Sequence, residues 1–291
     1  MRVLITGSTG RLGGAFLSLW NNCDGYDVRG LTREDADLSQ PGQVDALLRA
    51  TAFDVLVNTA AVSGLEECLD APGLAHAVNA ESPRVMAAIC REKGARLVHF
   101  STDYVFSGED AGSKTETDAT GAVNVYGASK CAGEQAVLAA DDQSLVCRVS
   151  WLFGPAPPDR PSHFDNVLRR ALAGEEQHLV DDKFSVPTFT HDIVRWVGLL
   201  LEREKSGIYH LCNSGGPESW HSYAVKICRL ARRHGLEVDS SKLVSTSLND
   251  ARFFREKRPV HTAMLPARLE HEGIVSPRPW LDAAEEYLKS R

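Results

Sequence analysis

Residues 2–16, "RVLITGSTGRLGGAF", decide the fold. A short apolar and β-branched run, Arg2–Thr6, leads into Gly7, Gly10 and Gly13 in G-x-x-G-x-x-G spacing, and a helical pattern over Arg11–Trp20 begins inside the same stretch. Glycines at that spacing let the backbone turn tightly and come close to a pyrophosphate. The unpaired N–H groups and positive end of the helix that follows match the negative charge. The reading assigns Gly7, Thr9, Gly10, Arg11, Leu12 and Gly13 to a dinucleotide.

The same unit recurs along the first half of the chain. Asp27–Leu31, Asp54–Asn58, Arg96–Ser101 and Ser144–Val149 are mostly apolar on both faces, as strands buried in a parallel sheet are. Helical patterns lie between them at Gln43–Ala50, Leu74–Cys90 and Tyr126–Ala139. Alternating strands and helices predict an α/β, doubly wound parallel sheet of the Rossmann type. After Gly154 the chain reads "GPAPPDRPSH", which neither strand nor helix accepts. Helices are expected beyond it at His163–Ala173, His191–Leu201, His221–His234 and Trp280–Lys289, with a strand at Gly207–Leu211. We therefore expect a dinucleotide-binding domain with the catalytic residues over 1–153. Residues 154–291 form a smaller, interleaved and mainly substrate-binding region, some of whose segments rejoin the main sheet.

A net charge of −7 leaves no basic footprint for a polyanion, so nucleic acid is not expected as a partner. The seven cysteines show neither C-x-x-C spacing nor neighbouring histidine clusters, which predicts reduced thiols and no metal site. "RVLIT" after Met1 is too short for the core of an export leader, and no run reaches the roughly eighteen apolar residues of a membrane span. A cytoplasmic protein without a membrane partner is expected. Its oligomeric state is left open, a homodimer included.

The end of the second strand chooses the cofactor. An acid there holds a ribose 2′-hydroxyl, whereas arginine accommodates a 2′-phosphate. In "GLTRED" Arg33 precedes Glu34 and Asp35, and the glycine loop adds Arg11, so NADP(H) is preferred with NAD(H) still open. Asp37 and Leu38 are expected against the adenine. "NTAA", with Asn58, Ala60 and Ala61, ends the third strand in small residues on the ligand side, and Asn79 is assigned to the same cofactor.

"NVYGASKCAGE", Asn124–Glu134, sets Tyr126 and Lys130 one helical turn apart on one face. A lysine ammonium beside a phenol lowers its pKa and makes it a usable proton donor, and the same lysine can reach a nicotinamide ribose. "HFSTDYVFSG" ends the fourth strand with Thr102, Asp103 and Tyr104, and Thr102 can polarise a substrate carbonyl. The three residues Thr102, Tyr126 and Lys130 together suggest reduction of a ketone, with hydride delivered to carbon and a proton to oxygen.

These motifs, with "CRVSWLFG", "DDKFSVPT", "GIYHLCNSGGPESW" and "RPVHTAML" in order, resemble the extended short-chain dehydrogenase/reductase superfamily and, within it, the dTDP-4-dehydrorhamnose reductases. The resemblance implies Thr102, Tyr126 and Lys130 as the catalytic set. It also implies Asp103, Tyr104 and Trp151 in the sugar pocket and reduction of the 4-keto group of a nucleotide-linked deoxysugar. Dehydratases of the superfamily resemble "TDE" where Tyr104 stands, which disfavours that chemistry here. Arg258 is expected either at the substrate diphosphate or fixing the C-terminal segment. "SGLEECL" departs from the family by placing Glu66 and Glu67 where an Asp-Lys pair is usual, "SVPT" lacks a glycine, and Phe153 stands for a tyrosine. Two other readings stay open: reductase of another keto-sugar nucleotide, and a non-catalytic NADP-binding subunit similar to the regulatory subunit of methionine adenosyltransferase.

Overall fold

The computed structural model describes residues 1–157, 159–251 and 254–291; Pro158 of the proline-rich loop lies outside them. Its frame is a sheet of β1 (Arg2–Thr6), β2 (Asp27–Leu31), β3 (Val55–Asn58), β4 (Arg96–Thr102), β5 (Leu145–Val149) and the strand Gly207–His210. The spatial order is β2-β1-β3-β4-β5 and then Gly207–His210, all parallel. α1 (Arg11–Trp20) leads to β2 on one side of β1, and α2 (Pro41–Ala50) carries the chain back to β3 on the other. The order therefore reverses between β1 and β3, and at such a reversal a crevice opens beyond the strand C-termini.

Both faces of the sheet are covered, so its strands are apolar throughout. Leu12, Ala15 and Phe16 of α1 pack on one face with Ile193, Trp196 and Val197 from the helix Thr190–Glu202. Val44 and Leu48 of α2 cover the other with Met86 and Ile89 of the helix Ser82–Lys93. The sixth strand and one covering helix thus come from beyond the proline-rich loop. A separate cluster, including Phe153, Phe164, Phe189, Tyr223 and Trp280, forms the core of the second region. Its short strand pairs, such as Phe184–Ser185 with Glu218–Ser219, were not expected from the sequence.

One expected helix is broken. Instead of running over Leu74–Cys90, the chain forms Leu65–Asp70, Pro72–His76, a π-helical turn at Ala77–Glu81, and then Ser82–Lys93. Pro83 has no N–H to give the carbonyl of Asn79 four residues back, so the regular ladder lapses there. Among the described residues no helix is long and apolar enough to cross a membrane.

Candidate active site

The glycine loop forms an open cradle at the switch point. Gly7 has φ +66, a left-handed conformation that costs a side-chain-bearing residue energy, and its carbonyl accepts the N–H of Gly10 at 2.9 Å. A Cβ on Gly13 would lie 2.3 Å from that carbonyl oxygen, so α1 can sit this close to the loop only without one. No side chain caps the N-terminus of α1, which leaves the first N–H groups of the helix for an anion. Leu12 is buried beneath the turn and Thr9 is exposed above it. Opposite stands the end of β3, where the Thr59 hydroxyl donates to the Thr6 carbonyl at 2.7 Å and Ala60 and Ala61 present only methyl groups. Small walls, left-handed backbone and free N–H groups fit an anionic dinucleotide.

The side chains assigned to the cofactor differ in the partners the fold gives them. Arg11 does not join Arg33 at a 2′-phosphate: its guanidinium donates to the carbonyls of Gly154 (2.7 Å) and Arg160 (2.6 Å) and lies 3.6 Å from Asp165. It ties the glycine loop to the second region. Arg33 is exposed after β2 and, among the described residues, makes no hydrogen bond or ion pair. Asp35 is turned into its own loop, accepting the Thr32 N–H at 2.8 Å and pairing with Arg29 at 3.0 Å, while Glu34 is exposed. Asp37 accepts the N–H of Ser39 at 2.9 Å, so one of its oxygens is held by its own turn. Leu38 is half-buried, and its carbonyl accepts the Ser82 hydroxyl at 2.7 Å.

Asn58 and Asn79 are framework residues in this arrangement. Sheet register sets Thr6 beside Asn58 and Asn58 beside His99. The Thr6 hydroxyl donates to Asn58 Oδ1 at 2.6 Å, Asn58 Nδ2 lies 2.9 Å from His99 Nδ1, and His99 Nε2 lies 3.4 Å from Lys130 Nζ. A polar chain therefore runs under the crevice from the glycine loop to the lysine. Asn79, fully buried in the π-helical turn, accepts the Val62 N–H at 3.0 Å and donates to the Ser129 hydroxyl at 2.9 Å. It braces the helix that carries Tyr126.

That helix, Val125–Ala140, starts where Asn124 accepts the Gly127 N–H at 2.7 Å. A Cβ on Gly127 would lie 2.2 Å from the Tyr104 carbonyl, so this glycine allows the end of β4 to approach the helix. The Tyr104 and Tyr126 rings consequently stand 5.8 Å apart, edge to face. Thr102 is buried and Tyr126 half-buried. Burial pushes the Tyr126 phenol up to about 12, while hydrogen bonding with Thr102 pulls the other way. The sequence reading gave Lys130 control of this phenol; instead burial dominates, and Lys130 Nζ is turned toward His99. Lys130 is itself pushed down to about 8 by burial, with the Glu134 charge opposing. Glu134 is shared with Arg148 through two hydrogen bonds of 2.8 and 2.7 Å.

Beside Tyr104 opens a cavity of about 600 Å³ walled by Trp151, His163, Trp220 and Tyr223, with Arg169 at its edge. Trp151 has φ +42, a strained conformation for a bulky residue that persists only where packing holds it. Its ring is 6.0 Å from both Trp220 and Tyr223. Trp220 and Tyr223 were not picked out in the sequence, because nothing in a helix of the second region marks which aromatics face a site. Asp103, implied in the sugar pocket by the resemblance, is engaged within the fold. It is buried, accepts hydroxyls from Thr102 (3.2 Å), Ser185 (2.8 Å) and Thr262 (2.6 Å), and so pins three segments together. Arg258, for which two roles were expected, reaches Glu66 at 3.3 Å and stacks 3.5 Å above the Phe254 ring. Glu66, a departure from the family pattern, thereby has a partner.

A parallel doubly wound sheet with a glycine cradle at its switch point and a tyrosine–lysine helix at the end of its fourth strand places the chain among the extended short-chain dehydrogenases/reductases. The family model for the RmlD substrate binding domain matches residues 1–291. A dTDP-4-dehydrorhamnose reductase of Streptomyces griseus is 35% identical over 293 residues, covering 98% of this chain and 92% of that protein. One from Burkholderia thailandensis is 35% identical over 241 residues, covering 78% and 77%. The crystal structure of the Bacillus anthracis dTDP-4-dehydrorhamnose reductase in complex with NADP superposes with a TM-score of 0.90 at 26% identity, covering 100% of this chain and 99% of that one. The chain belongs to the RmlD family, that of the dTDP-4-dehydrorhamnose reductases.

Proposed function

We propose that the protein reduces the 4-keto group of a dTDP-linked 6-deoxysugar, the chemistry its relatives' names describe, with NADPH as the hydride source. The observation that carries the reading is the juxtaposition of an uncapped glycine cradle with the Thr102–Tyr126 pair at the C-terminal ends of one parallel sheet. NADPH supplies the hydride when bound. The cradle formed by Gly7, Gly10 and Gly13 holds its pyrophosphate, and Arg33 its 2′-phosphate.

The chain's own groups handle the proton. A phenol whose pKa is about 12 stays protonated at neutral pH, so Tyr126 enters the reaction as the acid and gives its proton to the nascent alkoxide. Thr102 donates to the same oxygen and stabilises the charge that develops there. Lys130, protonated below about pH 8 and held 3.4 Å from His99 Nε2, keeps a positive charge one helical turn from the phenolate that remains. The aromatic cavity receives the sugar nucleotide. A cytoplasmic location belongs to the same proposal.

Mixing purified protein with NADPH and a dTDP-4-keto-6-deoxysugar should deplete the reduced-nicotinamide absorbance with a matching yield of alcohol. Folded protein that binds NADPH yet turns over no keto-sugar nucleotide would refute the reading and favour a non-catalytic NADP-binding subunit.

A further inference from the structure

Lys183 is the one described lysine whose ammonium is buried without a hydrogen-bond partner. Its side chain is wholly buried, and its Nζ stands 4.9 Å from the centroid of Tyr104, 5.5 Å from Trp151 and 5.9 Å from Trp220. All three rings line the substrate cavity. The closest carboxylate influence, Asp103, has its oxygens occupied by Thr102, Ser185 and Thr262, and its charge acts on Lys183 without a hydrogen bond. Aromatic faces offset part of the cost of burying a cation, yet leave its N–H groups unmet. An acceptor is missing, and the three rings that surround the ammonium are also walls of the cavity.

We infer that Lys183 is a specificity-determining residue that donates a hydrogen bond to an oxygen of the sugar ring when a nucleotide sugar occupies the aromatic cavity. The inference rests on the proposed substrate class and adds the group that reads the sugar. Tyr104 touches both Lys183 and Tyr126, so a sugar whose keto carbon faces Tyr126 presents its neighbouring oxygens to the cage. The nucleotide's phosphates offer the same acceptor chemistry, and binding measurements separate the two sources.

The test compares wild type, Lys183→Met and Lys183→Gln by calorimetric titration with dTDP alone and with the dTDP-4-keto-6-deoxysugar, under NADP⁺ to prevent turnover. Lys183→Met should weaken the sugar nucleotide by roughly 10- to 100-fold, the worth of a hydrogen bond to a charged group, and leave dTDP within about twofold. Lys183→Gln, which keeps N–H donors, should recover part of the loss and appear in steady state as a raised KM with kcat less affected. Equal loss of both ligands assigns Lys183 to the phosphates and overturns the sugar contact. Unchanged affinity for both shows a structural cation only and overturns it as well. NADPH affinity and melting temperature report folding in each variant; if Lys183→Met fails to fold, the Lys183→Gln comparison decides. Wild type that neither binds nor reduces any dTDP-keto sugar refutes the substrate class and this inference with it, whereas wild type that does so beside unaffected variants refutes the role of Lys183 alone.

Discussion

Gly13 and Gly14 are neighbours in α1, and the structure gives their alanine variants opposite outcomes. A Cβ on Gly13 would stand 2.3 Å from Gly7 O and 2.8 Å from both Gly7 C and Thr59 Oγ1, whereas ordinary contact begins near 3.4 Å. The helix or the loop must therefore retreat by about 1 Å. Gly7 cannot absorb this easily, because its carbonyl holds the Gly10 N–H and its own backbone abuts Ala60. Overpacking of this kind costs about 1–3 kcal/mol of stability. The same displacement misaligns the helix N–H groups that meet the pyrophosphate. Losing a charge-assisted hydrogen bond there weakens NADPH by roughly 10- to 100-fold. A Cβ on Gly14 meets only Ser8 O at 3.6 Å, and alanine is favoured over glycine inside a helix by about 1 kcal/mol. Thermal melts without cofactor and fluorescence titration with NADPH check both variants. Gly13→Ala should melt lower and bind weakly, while Gly14→Ala melts no lower than wild type and binds as wild type does. Indistinguishable variants would refute the cradle geometry.

Replacing the Tyr126 hydroxyl, in Tyr126→Phe, should lower kcat by roughly 10²-fold or more and leave NADPH affinity within about twofold, measured by steady-state kinetics and titration; near-normal turnover would remove Tyr126 from proton transfer. The pH profile of reduction follows Lys130: its charge is present below about pH 8 and lost above, while Tyr126 is still protonated, so kcat/KM should fall as pH rises through about 8. A profile that stays flat well above that pH contradicts a role for the ammonium. Arg33→Ala should weaken NADPH far more than NADH, and equal losses in paired titrations would count against a 2′-phosphate contact.

The order of elements and the glycine cradle were legible because both are properties of contiguous residues. Apolar runs alternating with helical periodicity dictate buried parallel strands and covering helices, and a left-handed turn needs glycine wherever the rest of the chain goes. Spacing along one helix likewise put Tyr126 and Lys130 on one face. Which partner a side chain finds is a different matter, decided by residues far apart in the chain. Asp103 reads as a pocket residue until Ser185 and Thr262, 82 and 159 positions away, take its oxygens. Arg11 reads as a phosphate ligand until the proline-rich loop arrives beside it. His99 meets Asn58 only because sheet register aligns β3 with β4, and Lys130 reaches its other ring nitrogen from a helix 31 positions further along the chain. Lys183 sits in "DDKFSVPT" with nothing local to mark it, and becomes a buried ammonium when Tyr104, Trp151 and Trp220 converge from three separate segments. The sequence by itself determined the scaffold and the tyrosine–lysine face, since short-range backbone and side-chain geometry suffices for them. Only the tertiary structure decided which polar groups are spent on each other and which remain for a ligand, because burial and hydrogen-bond partners exist only once distant segments have packed.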